Sequence, residues 1–212
     1  IVVARTGEGK GEKGISAILV DVKQAKPQMA ITRLDTVPVE DYYEVVFDKV
    51  IVDETAVLGQ AGEAWTGLNK IIQIAAVGKC VDMVGAGQRM LETAVGHAKE
   101  RIQFGRPIGS FQAVQHHCAN AATLVDSARL IAYKATWLLS EGIECAKMVS
   151  LAKSYGSDAH RKVTQLTHQV TGGVGLIVEH DLPMFSYRAL ASQLLFGTPA
   201  AHRELVAQEL GL

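Results

Sequence analysis

Arg101-Ile102-Gln103-Phe104-Gly105-Arg106-Pro107-Ile108-Gly109-Ser110-Phe111-Gln112 joins a cation, amides and two aromatic rings in a link bent by glycine and proline. Apolar side chains recur at steps of three or four on both sides, so the link connects two long helices. A second stretch, Gln169-Val170-Thr171-Gly172-Gly173-Val174-Gly175, ends a third helix. Its glycines let a ligand approach the backbone, and bare N–H groups at such a turn suit an anion. Together the two stretches could hold a dinucleotide: Arg101 for a pyrophosphate, open backbone for phosphate or adenine, rings for packing. The alternative is a pair of ordinary helix connections, and residue types alone leave both readings open.

The helical period starts at Trp65. Ile71, Ile74, Val77, Val81, Val84 and Gln88 line one face of a helix that runs to about Arg101. Gly85 and Gly87 inside it imply close packing against another backbone. A second helix starts after Ser110 as N-cap and carries Val114, Cys118, Ala121, Val125, Ala128 and Ile131. Gly142 separates it from a third, which Gly172-Gly173 stops. A fourth spans about Leu182–Leu195. Thr198-Pro199 then reads as N-cap and first residue of a short last helix, where proline loses no hydrogen bond. Short connections between long helices predict an antiparallel bundle.

Residues 1–60 have a different period. Ile1–Ala4, Ile15–Val20, Met29–Leu34, Tyr43–Phe47 and Val50–Val52 are short β-branched or aromatic runs separated by turn formers. The Gly-rich stretch from Thr6 to Gly14 lacks the spacing of a phosphate-binding Walker loop and reads as a plain mobile hairpin loop. The fold class is therefore α+β: a partial antiparallel β-domain over 1–60, followed by an all-α antiparallel helical bundle over 61–212. The opening Ile1-Val2-Val3-Ala4 reads as mid-strand, with no basic-then-apolar leader before it, as expected of a truncated or split chain.

The formal net charge of -1 favours neither nucleic acid nor an acidic partner. No apolar run reaches the length of a membrane span. The odd number of cysteines, 3, all in helix-like stretches, predicts free core thiols and a reducing, cytoplasmic setting. His116 and His117 are adjacent and face different ways, while His160 and His168 are too far apart to chelate from one turn. No metal site is expected.

The order R-x-x-F-G-x-P-I, F-Q, then Q-x-x-G-G-x-G resembles the acyl-CoA dehydrogenase family. Upstream, Gly14-Ile15-Ser16, Ile18 to Asp21, Glu44 to Val50, Leu58-Gly59 and Gly62-x-x-Trp65 resemble the second half of that family's middle β-domain. The resemblance covers essentially the whole chain. It implies a flavoprotein oxidoreductase of lipid and fatty acid metabolism, with FAD as cofactor and an acyl-CoA thioester as substrate. It further implies an electron-transfer partner and a dimer or tetramer, typically a homotetramer, that shares its flavin across an interface. By resemblance, Arg101, Gln103, Phe104, Phe111 and Gln112 would reach the FAD of a neighbouring subunit. Gln169, Gly172 and Gly173 would cradle its far end, and Thr198 would lie near the flavin.

The resemblance fails at the base. Family members remove the proton α to the thioester with a carboxylate that opens a Glu-Gly-Thr triplet. Here the triplet reads Phe196-Gly197-Thr198, and the alternative base position on the first long helix is Ala75. An arginine that some members carry two residues later falls at Val77, and the common Arg-Asp pair is Tyr187-Arg188. Glu179 follows the glycines where the family often has Glu and reads as structural. Asp82, two turns beyond Ala75, is either a displaced base or a carboxylate that meets a basic side chain or solvent; the second is favoured. No residue is assigned as catalytic. The implied function is α,β-dehydrogenation of an acyl-CoA; the first alternative is a non-catalytic subunit that shares FAD within a heteromeric enzyme, and a third reading keeps the flavin but changes the reaction, as in oxidase or hydroxylase relatives.

Overall fold

A computed structural model describes residues 1–36 and 41–212. The chain divides into two compact units, Ile1–Ile72 and Gln73–Leu212.

In the first unit, β1 (Val2–Arg5) pairs antiparallel with β2 (Ile15–Ile18), from Val2 opposite Ile18 to Arg5 opposite Ile15. The Gly-rich loop between them is the hairpin connection. Arg5 closes it by donating to the carbonyls of Gly9, Gly11 and Lys13. A second antiparallel ladder joins β3 (Met29–Arg33) to β4 (Tyr43–Phe47). The short β5 (Val57–Leu58) pairs with β2. Val50–Val52 is not a strand. Lys49 takes a φ of 54° just before it, and Ile51 is left 91% exposed with no neighbouring ladder among the described residues. Strand β2 also stops short of Leu19-Val20, because Asp21 caps the four-residue helix α1 (Val22–Ala25) by accepting from the Lys23 amide.

The helices are α2 (Trp65–Glu100), α3 (Gln112–Ser140), α4 (Ala146–Thr171), α5 (Leu182–Leu194) and α6 (Pro199–Glu209). Their buried side chains give their directions. Ala76, Cys80 and Met83 of α2 pack with Ala132 and Ala135 of α3 and Val149 and Ala152 of α4. Met90 meets Ala121, Val125, Val163, Leu166 and Leu182. Ala94 and Ala98 meet Val170, Val114 and Cys118. So α2 and α4 run one way and α3 the other, and Leu182 starts α5 near the end of α4. This is the antiparallel bundle predicted from the periodicity. Truncating a buried leucine or methionine of this core to alanine costs about 2–5 kcal/mol; Met90, with 0% exposure, is the clearest case.

Thr198 caps α6 by accepting from the Ala201 amide at 3.2 Å, with Pro199 following. Ser110 is not a cap. Phe111 occupies the N-cap of α3, while the Ser110 hydroxyl is committed to the Pro107 carbonyl at 2.7 Å in the turn before it. The helix glycines also differ from expectation. Gly87 faces a side chain, Val125 Cγ2, rather than a backbone, and nothing approaches Gly85. All three cysteines are free thiols, with Cys80 and Cys145 buried. No helix among the described residues is long and apolar enough to cross a membrane.

Candidate functional site

The two informative loops lie at one end of the bundle. The Ala94, Ala98 and Val170 cluster, with Ile108, Val114 and Cys118 against it, joins the last turns of α2 and α4 to the first turns of α3. Gly109 lies so close to α2 that a Cβ there would sit 2.9 Å from the Ala98 carbonyl oxygen.

Between α2 and α3 the chain makes a tight hairpin of β6 (Ile102–Gln103) and β7 (Arg106–Pro107). Its two central residues, Phe104 and Gly105, have φ of 53° and 78°. Two positive φ values make the primed turn that matches strand twist. A phenylalanine held there is uncommon. Its ring is 91% exposed and touches Phe111 edge-on, with centroids 6.0 Å apart. Arg106, which the sequence reading did not single out, stacks its guanidinium 4.2 Å from the Phe111 centroid. The Arg-Pro pair beside two phenylalanines was the available signal. Arg101 closes the hairpin through its backbone, its carbonyl accepting from the Ile108 amide at 2.9 Å. Among the described residues its guanidinium makes no hydrogen bond or ion pair. Gln103 and Gln112 are exposed, Gln112 as the first residue of α3.

At the end of α4, Gln169 is exposed and Gly172 turns the chain with φ 60° and ψ -145°, a conformation open to glycine alone. Gly172 and Gly173 present bare backbone to solvent. Arg101, His97, His168 and His180 lie around these loops together with Glu100, Glu179 and Asp181. His97 is held below its usual pKa by burial, then by the charges of Arg101 and His180, while Glu100 opposes the shift. Burial and His180 do the same to His168, which shares a 2.6 Å hydrogen bond with Ser186.

Thr198 is elsewhere. It opens α6, whose His202 meets Ser150 near the start of α4. From Ser150 to Val170 a helix rises about 30 Å. One chain therefore brings Arg101, Gln103, Phe104, Phe111, Gln112, Gln169, Gly172 and Gly173 to one end and leaves Thr198 near the other. Phe196, which by resemblance opens the triplet where the family has glutamate, has φ 57° and is 40% exposed. Ala75 is half-buried on α2 and Val77 is buried. Asp82 meets basic side chains, with Lys79 Nζ at 3.2 Å and Arg188 at 3.4 Å. Among the described residues no group of His, Cys, Asp and Glu could hold a metal ion.

Residues 62–211 match the family described as acyl-CoA dehydrogenase, C-terminal domain. An acyl-CoA dehydrogenase of Bacillus subtilis (strain 168) is 29% identical over 217 residues, which cover 99% of this chain and 56% of the relative. The glutaryl-coenzyme A dehydrogenase glutaryl-CoA complex superposes with a TM-score of 0.93 at 26% identity, over 99% of this chain and 55% of that one. PigA, solved with FAD and proline, superposes at 0.94 with 24% identity, over 99% and 55%, and shows the shared fold. The chain spans about half the length of the curated relatives it matches. The order of the two loop motifs, the bundle that brings them together and this family match over most of the chain all agree: the chain belongs to the acyl-CoA dehydrogenase family.

Proposed function

We propose that the whole protein is an FAD-dependent oxidoreductase acting on an acyl-CoA thioester, and that this chain supplies the far end of a neighbouring subunit's FAD site. One observation carries the reading. An arginine whose guanidinium has no hydrogen bond or ion pair among the described residues, an exposed aromatic ring fixed by a primed turn and two bare glycines share one end of the bundle. These residues fit the phosphates and flat rings of a dinucleotide. Arg101 would pair with the pyrophosphate. Gly172 and Gly173, with Gln169 beside them, would admit its far end against the backbone. Phe104, with Gln103, Phe111 and Gln112 around it, would pack and orient it. FAD, when bound, accepts the hydride from the acyl chain. Thr198 stands about 30 Å away along the bundle, too far to act on the same molecule's near end unless subunits pair. The reading therefore includes a dimer or tetramer, with a homotetramer as its simplest form, and an electron-transfer partner. Fatty acid breakdown and a cytoplasmic location belong to the same reading.

Phe196 supports a second reading. A ring cannot take a proton, Ala75 offers none, and Asp82 is engaged by two cations. A general base typically contributes about 10²–10⁴ in rate. Ordinary α,β-dehydrogenation by this chain alone should then be slow, and a partner subunit with its base intact would do the chemistry.

The test of the FAD site is Arg101→Ala in the whole protein. Charge-assisted hydrogen bonds to a pyrophosphate contribute about 1.5–3 kcal/mol each. The variant should stay folded and lose flavin on gel filtration, with the flavin-to-protein ratio read from absorbance. An unchanged ratio refutes the role of Arg101.

A further inference from the structure

Beneath the Leu195–Thr198 turn lies a set of buried polar groups at the opposite end from the two loops. Lys153 of α4 has 0% exposure, and among the described residues no carboxylate pairs with it. Its ammonium carries three protons. Three acceptors surround it: the Ser192 carbonyl at 3.0 Å, the Gly197 carbonyl at 3.0 Å and Ser157 Oγ at 3.3 Å. The Gln193 carbonyl is further out at 3.5 Å. Ser192 and Gln193 belong to the last turn of α5, whose carbonyls have no partner within their own helix. Lys153 thus caps α5 from a neighbouring helix and reaches past it to the turn.

His202 takes the next carbonyl. Its Nε2 lies 2.9 Å from the Phe196 carbonyl, which can only accept, so Nε2 carries the proton. Nδ1 is then the acceptor and receives the Ser150 hydroxyl at 3.1 Å. The ring is buried, and burial holds its pKa below the usual imidazole value. The two carbonyls held in this way belong to consecutive residues of positive φ: Phe196 at 57° and Gly197 at 102°. A left-handed phenylalanine is strained and persists only where its surroundings fix it. Glycine is required next, because a Cβ on Gly197 would sit 2.7 Å from His202 Nε2.

We propose that Lys153 and His202, with Ser150 behind the imidazole, are positioning residues that clamp the Phe196 and Gly197 carbonyls and so fix the direction in which residue 196 presents its side chain. The inference rests on the reading that position 196 stands where relatives carry their base. It explains how that position accepts a phenylalanine without a change of register: the clamp holds only backbone. A carboxylate placed there would be aimed by the same two bonds.

The experiment uses the whole protein carrying Phe196→Glu, alone and combined with His202→Leu, His202→Gln or Lys153→Met. Amide hydrogen exchange over residues 190–203 reads the turn without reference to catalysis. His202→Leu and Lys153→Met should speed exchange there at least tenfold and leave the rest of α4 protected. His202→Gln, whose amide can still donate to residue 196 and accept from Ser150, should stay within about twofold of the parent. Anaerobic flavin bleaching by an acyl-CoA should fall at least tenfold in maximal rate with His202→Leu at little change in half-saturation, and His202→Gln should recover it. Unchanged exchange in both His202→Leu and Lys153→Met overturns the clamp, as does acceleration spread evenly over the bundle. Local acceleration in a Phe196→Glu protein that never bleaches supports the clamp and counts against the dehydrogenase reading instead.

Discussion

Acidification should destabilise the helical unit, and the histidine with the largest shift is His160. The residue lies on α4 with 3% exposure, and among the described residues neither ring nitrogen has a hydrogen-bond partner. It lines a cavity of about 10 Å³ with Met83, Val84, Leu124, Val125 and Val163, where Gly87 and Gly156 also leave space. That is room for about one water molecule, in walls too apolar to hold it well. The charged groups facing the ring are Asp82 and Lys79 of α2 and Arg188 of α5. Burial dominates and pushes its pKa from 6.5 down to about 4; Asp82 opposes the shift, while Arg188 and Lys79 add to it. The folded state therefore binds this proton less readily than the unfolded chain. The stabilisation is complete above pH 6.5 and is lost as pH falls towards 4. At about 1.4 kcal/mol per pH unit, the loss reaches about 2 kcal/mol at pH 5 and about 3 kcal/mol at pH 4. His97, His168 and His202 are also shifted down by burial and act with the same sign. The contribution of His160 is thus the difference from a His160→Leu variant. Urea unfolding of both proteins from pH 8 to pH 4.5 measures it, provided the m-values agree. If the two stability curves stay parallel across that range, the reasoning about His160 is wrong.

Burial raises the Cys80 pKa to about 12, so the folded protein should leave Cys80 unmodified by a thiol reagent at pH 8 while the urea-unfolded chain reacts at once. Gly172→Ala should cost at least about 1 kcal/mol in thermal or urea unfolding, since alanine cannot adopt φ 60°, ψ -145° without strain. The whole protein should sediment as a dimer or larger at micromolar concentration, and a monomer alone would speak against flavin sharing.

The bundle was legible because its signals are local and repeated. Helices of this length show their period many times, and Thr198-Pro199 and Gly172-Gly173 mark ends by their own backbone chemistry. The antiparallel β-ladders were found where β-branched runs pair, and the strand expected at Val50–Val52 did not form, where the composition fits a strand but no partner strand lies alongside among the described residues. Ser110 shows the same limit: its hydroxyl had two backbone targets, and the preceding turn took it. The loop stretch was visible because arginine, glycine and aromatic residues are unusual together. The Lys153 and His202 clamp was not. Its partners are main-chain carbonyls, which leave no trace in the sequence, and its members are 49 residues apart in the chain. A lysine set between Val149 and Ser157 on the apolar face of α4 was the one hint. The fate of Asp82 was foreseen in kind, while its partner Arg188 comes from a helix 106 residues on.

Anaerobic mixing of the purified whole protein with an acyl-CoA tests the central claim, that this chain holds a flavin site yet lacks the family's base. The account predicts that FAD is present, that it bleaches slowly or not at all in the wild type, and that Phe196→Glu raises the rate by about 10²-fold or more. Rapid bleaching by the wild type, abolished by Asp82→Asn, would contradict it and make Asp82 the base.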